Sequence, residues 1–202
     1  MEAIHPKAAK GLRCNNITLS VRNTFEPDHP GTLITGDYVS DSPRVEIIAG
    51  CKGIYALEVF DQGMTANVDY YDQQIITLIR RFKGHVVSKD LNANTITHYL
   101  STNLKTIKRI NTEIKDKFPD AEINQAKVAI VSAIGSNMKV PGILAQTVGA
   151  LAEQNISVLA MHQTMRQVDM QFIINEDDYE LAVKSVHRCL VEIHNHGRTV
   201  AE

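Results

Sequence analysis

Tryptophan is missing from the 202-residue chain, and aromatic residues make up only 5% of it. Exposed aromatic platforms of the kind that stack nucleic-acid bases therefore have little to be built from. Lys and Arg number 21 against 23 Asp and Glu, a formal net charge of −2. No basic field exists to draw in nucleic acid or an anionic membrane surface. No apolar run approaches the roughly 20 residues needed to span a bilayer. Cysteine is scarce: Cys14, Cys51 and Cys189 lie far apart and form no Cys-x-x-Cys pair. That pattern fits inert thiols in a reducing, cytoplasmic setting. Absent too are a Gly-x-x-x-x-Gly-Lys-Ser/Thr phosphate loop and a Gly-x-Ser-x-Gly elbow, so no catalytic residue is expected.

What is present is an ordinary globular composition, 44% hydrophobic and 22% charged, in a chain long enough to bury roughly 70% of its unfolded surface. Residues 6–15 read as a short helix with Pro6 in its first turn, and 17–21 alternate like a strand. Glu26-Pro-Asp-His-Pro-Gly31 then breaks regular structure and marks a boundary. Beyond it the pattern repeats with a period of about 75 residues. In the first unit 53–60 is a strand, and Tyr71, Ile75, Leu78, Ile79 and Phe82 stripe a helix that stops at Gly84. A hairpin of 86–91 and 95–101 turns at Asn92-Ala-Asn94. Leu104, Ile107, Ile110, Ile114 and Phe118 stripe a second helix, capped by Thr102 and ended before Pro119.

The second unit repeats this order. Residues 127–133 are a strand, and Leu144, Thr147, Val148 and Leu151 mark a helix starting at Pro141. Strands 157–163 and 168–175 follow, the latter turning Val168, Met170, Phe172 and Ile174 inward. Glu176, Asp177 and Asp178 place negative charge at the positive end of a last helix striped by Tyr179, Ala182, Val183, Val186, Leu190 and Ile193. The expected class is α+β: two ferredoxin-like βαββαβ modules, each an antiparallel sheet with helices on one face.

RNA-recognition modules share that arrangement, but the presumed outer faces offer Asp169, Gln171 and Ile173 in one unit and Thr95, Thr97 and Tyr99 in the other. One Tyr without basic charge is a poor base-stacking surface. Eight histidines are scattered, with His194-Asn-His196 the closest pair, and no three or four converge as metal ligands. No metal site is expected, and His98 and His162 read as satisfied sheet histidines. The loop Gly135-Ser-Asn-Met-Lys-Val-Pro-Gly142 places glycines where backbone approaches something closely, before a helix whose free N–H groups suit a carboxylate; a tight turn would use the same residues.

Several motifs resemble those of aspartate kinases. Ile4-His-Pro-Lys-Ala8, Arg22-Asn-Thr-Phe25 and Pro30-Gly-Thr-Leu33 resemble the stretch where the catalytic domain hands over to the regulatory region. Gly135-Ser-Asn-Met138, Pro141-Gly142, Ala150-Leu-Ala-Glu153, Asn155-Ile156, Gln163 and Phe172-Ile-Ile-Asn-Glu-Asp177 resemble the second of the family's two ACT modules, small amino-acid-sensing domains. The family's Lys-Phe-Gly-Gly motif is absent, and the nearest similar run is Arg81-Phe-Lys-Gly84. The resemblance implies a regulatory fragment with Met1 as an added start, divided into a catalytic-domain tail and linker (1–45), a first ACT module (46–122) and a second (123–202).

It implies further that the parent phosphorylates the side-chain carboxylate of aspartate with ATP and Mg held in a missing catalytic domain. The fragment itself would need no cofactor and would be inactive. It would pair as a cytoplasmic homodimer through its ACT modules and answer to an end-product amino acid of the lysine, threonine or methionine branches. The implied effector residues are Gly63, Met64, Asn67 and Asp69 with Val87, Ser88 and Lys89, and in the second module Asn137, Met138, Gly142 and Gln163. Val87 stands where lysine-sensing members carry an acid, a loss of about 1.5–3 kcal/mol of charge-assisted hydrogen bonding that argues against lysine. With Val68-Asp-Tyr-Tyr71, Met165-Arg166 and Asp169 also departing from the family pattern, the chain resembles divergent paralogues such as those associated with compatible-solute synthesis. The alternatives are a free-standing ACT sensor, or an ACT pair serving only as a dimerisation scaffold.

Overall fold

A computed structural model describes residues 4–36 and 44–193. His194 and His196 lie outside the described residues, as do part of the expected linker and the side chain of Ile193. The chain divides at residue 42 into two compact units.

In the N-terminal unit α1 (Pro6–Cys14) starts at His5, whose Nδ1 accepts the Lys7 N–H at 3.2 Å. Strands β1 (Leu19–Val21) and β2 (Thr32–Ile34) pair antiparallel. Gly31 closes the excursion between them at φ 78°, where a Cβ would overlap the Val21 carbonyl. This unit leaves Phe25 and Leu33 exposed.

The C-terminal unit is built on two long strands, β3 (Arg44–Phe60) and β6 (Glu122–Ser136). Between them α2 (Val68–Arg81), β4 (His85–Asn92), β5 (Thr95–Ser101) and α3 (Leu104–Lys117) follow in order. After β6 come α4 (Ile143–Ala152), β7 (Val158–Gln163), β8 (Asp169–Asn175) and α5 (Tyr179–His187), the last continued by a π turn, Arg188–Ile193. These six strands join one antiparallel sheet, β4-β5-β3-β6-β8-β7. The expectation of two separate sheets is thereby corrected: β3 and β6 pair along nearly their whole lengths and serve both halves.

Two cores lie under the helices. In one, Leu57, Val59, Ile96 and Leu100 of the sheet meet Ile75 and Ile79 of α2 and Ile107, Ile110 and Ile114 of α3. In the other, Val131, Met170, Phe172 and Ile174 meet Ile143 and Leu151 of α4 and Ala182 and Val186 of α5, and Val45 and Ile48 pack there too. Residues 44–51 thus pair and pack with the later half of the chain, and β6 begins at Glu122, beside the expected boundary at 122/123. The two halves of β3 are separated by a bulge between Cys51 and Ile54, eased by Gly53 at φ 74°. Gly50 is required here, since a Cβ would lie 2.6 Å from the Tyr179 ring.

The face without helices, expected to be an outer face, is buried at its centre. The sheet curls until Ile54, Tyr99, Val128, Ile130 and Ile173 form a third cluster, leaving Tyr99 3% and Ile173 0% exposed. Local ends also shift. α3 is capped by Asn103, whose side chain accepts the Thr106 N–H at 2.9 Å, rather than by Thr102. α4 begins at Ile143 rather than Pro141, because Gly142 sits at φ 90°, outside helical space.

Candidate functional site

The loop into α2 is built around Asp61. Its Oδ1 accepts the Gly63 N–H at 2.7 Å and its Oδ2 accepts the Tyr71 hydroxyl at 2.9 Å. Burial, and then that hydrogen bond, pushes the Tyr71 phenol above its ordinary pKa. Tyr71 stacks on Phe118 at 4.3 Å between ring centres, so the loop is anchored to the core. Met64 is fully buried in that core, while Gly63, Asn67 and Asp69 are exposed above it. Asp69 stands in the first turn of α2, where a carboxylate complements the helix dipole.

On β4, Val87 falls in a bulge between Val86 and Ser88 and is 43% exposed. Lys89 reaches the other way: its Nζ donates to Asp72 Oδ2 on α2 at 2.6 Å. Asp72 Oδ1 lies 3.2 Å from Nε2 of His98. His98 is fully buried, and neither ring nitrogen has an aligned hydrogen-bond partner. It is therefore not the satisfied sheet histidine that was expected. Burial lowers its pKa, which Asp72 only partly opposes, so the ring is held neutral. The structure thus brings β4 against α2 through Lys89 and Asp72. The sequence reading named Lys89 and His98 but missed Asp72, which lies between them.

The second loop follows the same plan. Met138 is buried in the other core, Asn137 is exposed at φ 53° and Gly142 caps α4 from the left-handed region. Gly135, read as a point of close approach, approaches its own chain: a Cβ there would overlap the Arg44 carbonyl. Gln163 ends β7, partly exposed. Both methionines therefore fill cores, and only the loop backbone and polar neighbours face solvent. Sequence periodicity did not reveal this, because each methionine precedes its helix. Among the described residues no His, Cys, Asp and Glu group of three or more is placed to hold a metal, and no helix is long and apolar enough to cross a membrane. Cys14 and Cys51 are exposed thiols, and burial raises the pKa of half-buried Cys189.

Two sheet halves with paired helices on one face, each entered by a methionine-anchored loop, define a tandem ACT-type ferredoxin-like region. The ACT domain profile matches residues 131–190. Over 201 residues the chain is 51% identical to the aspartate kinase Ask_Ect of Stutzerimonas stutzeri, covering 100% of this chain and 42% of that protein. The Clostridium acetobutylicum aspartate kinase structure superposes with a TM-score of 0.78 at 21% identity, covering 93% of this chain and 44% of that one. Escherichia coli aspartokinase III in complex with lysine and aspartate superposes at 0.69 with 14% identity, covering 94% and 42%. The chain is a homologue of the ACT-containing regulatory part of aspartate kinases, and it spans less than half the length of these relatives.

Proposed function

We propose that the chain is the allosteric region of an aspartate kinase, a cytoplasmic enzyme that phosphorylates L-aspartate to 4-phospho-L-aspartate with ATP and Mg held elsewhere in the whole protein. The observation that carries this reading is the 51% identity to Ask_Ect, which runs the length of this chain. In this reading the 202 residues carry two ACT modules that share β3 and β6, and they bind an end-product amino acid. A homodimer forms through the sheet edges, where Val87 and Leu91 on β4 and Met161 on β7 are all more than 40% exposed. The effector lies at the first loop, with Gly63, Asn67 and Asp69, and Val87, Ser88 and Lys89 on β4 complete the set. The second loop, with Asn137, Gly142 and Gln163, is the symmetric alternative. Helix N-termini suit a ligand carboxylate, and Asp69 suits its ammonium.

Phosphoryl transfer needs cations and a metal arranged around ATP, so the 202-residue chain alone is expected to transfer no phosphate to aspartate; transfer would overturn this division of labour. Calorimetric titration with lysine, threonine and methionine tests the sensing role. One of them should bind, and Asp69→Ala should weaken it while Asn137→Ala does not; the reverse outcome moves the site to the second loop. A dimer by light scattering that binds no amino acid at millimolar concentration would establish the scaffold reading instead.

A further inference from the structure

The sheet face that the helices leave bare folds into a cleft of about 520 Å³, within the size range of small-molecule sites. Its polar wall is one row across four strands. Asp90 pairs with Thr97, Thr97 with Glu58, and Glu58 with Asn124 in the strand registers. Its other wall is apolar, including Leu159 and Ala160. Asp90 accepts the hydroxyl of the buried Tyr99 at 2.7 Å, and its other oxygen lies 3.1 Å from His162 Nε2. That approach brings β4 and β7, the two outer strands of the sheet, together beside the cleft, and His162 Nε2 has no aligned hydrogen-bond partner there.

The charge in this cleft is unbalanced. No Lys or Arg lines it, and Glu58 receives only the Asn124 amide at 3.2 Å. A carboxylate lining a cleft with no cation beside it is an open partner for a charge-assisted hydrogen bond from a bound cation. A single metal ion does not suit the pair, because Glu58 and Asp90 stand two strands apart, about 9.5 Å between backbones. A short aliphatic diamine can span that gap, its chain lying on the apolar wall.

The geometry points to a binding site for a small protonated aliphatic amine in this cleft, with Glu58 as its principal ion-pair partner and Asp90 and Thr97 completing the row. The site is separate from the loops that precede α2 and α4, and it stands whether or not those loops bind an amino acid. The test is titration of the 202-residue chain with 1,4-diaminobutane, followed by calorimetry and backbone amide shifts, with butyrate as the same-length anion. Saturable binding is expected, with shifts at Thr97, Asn124 and Leu159 and none from butyrate. Glu58→Gln keeps the shape and the Asn124 contact and should weaken binding by about tenfold or more. Ala126→Leu, at an exposed position that lines the cleft, should abolish it by filling the space. Absence of saturable binding, or binding that survives both variants, overturns the assignment. Loss of binding in Asp69→Ala alone would assign the amine to the first loop and equally overturn it.

Discussion

The two halves of the sheet bury their inner strands alike and fill one place differently. β5 and β8 share the same alternation of half-buried and buried positions along seven residues. At the fourth position the first half carries His98 and the second Phe172, both fully buried. The outer strands place Lys89 beside His98 and Met161 beside Phe172. On the covering helices, Asp72 precedes the buried Ile75 by the same spacing as Leu144 precedes the buried Thr147. One half therefore seats His98 beside Lys89 and Asp72 where the other seats Phe172 beside the half-exposed Met161, in a core that Leu144 also packs against. A polar group of this kind costs desolvation that its contacts only partly return, so its presence beneath the first loop is not explained by stability. The second half shows that the fold is satisfied by hydrocarbon at the same place.

Removing the apolar version should have the largest effect. Phe172→Ala deletes a fully buried ring from the core shared with Met170, Ile143 and Val186, and the expected loss is about 3–5 kcal/mol. Urea unfolding checks it; a loss below about 1 kcal/mol would mean that the second core is not packed as described.

The polar version should respond differently to partial and complete removal. Asp72→Ala leaves Lys89 and the buried His98 without their shared partner, at an expected cost of about 1–3 kcal/mol. Installing the second half's set in the first, as Asp72→Leu with Lys89→Met and His98→Phe, should be neutral or stabilising by about 1–4 kcal/mol. If the triple variant is as damaged as the single one, the two places are not equivalent and the comparison fails.

The sequence made part of this visible. Stripes at helical spacing located α2, α3 and α5, and the inward alternation of Met170, Phe172 and Ile174 matches their burial. The first half of β3 was not legible, because bulges at Val45/Ile47 and Cys51/Ile54 shift the two-residue period, and its glycines answer to contacts such as the Tyr179 ring. With that strand hidden, the fusion into one sheet was hidden too. At the candidate site, sequence placed the loops and Lys89 but gave no role to Asp72 and His98, which meet only when α2 lies across β4 and β5. The concave cleft was illegible for a further reason: Glu58, Thr97 and Asn124 look like an ordinary solvated face until the sheet curls.

The smallest effect separates the halves by pH. Burial holds the folded-state pKa of His98 below the ordinary histidine value, with Lys89 acting in the same direction and Asp72 against it. The unfolded chain takes up that proton near pH 6.5, while the folded chain resists it. Below that pH the unfolded state thus binds more protons, and stability falls as pH drops towards the folded value. The contribution is fully present above about pH 6.5, and its slope below is at most about 1.4 kcal/mol per pH unit for one group. Unfolding free energies measured from pH 7.5 to 5.5 should decline in the native chain, and His98→Phe should remove that part of the slope. Because Phe172 offers no such group, its replacement by a non-ionisable residue should leave the slope unchanged. A His98→Phe protein with the native slope would show that the pH dependence arises elsewhere, and that the polar place in the first half is as silent to protons as its apolar counterpart.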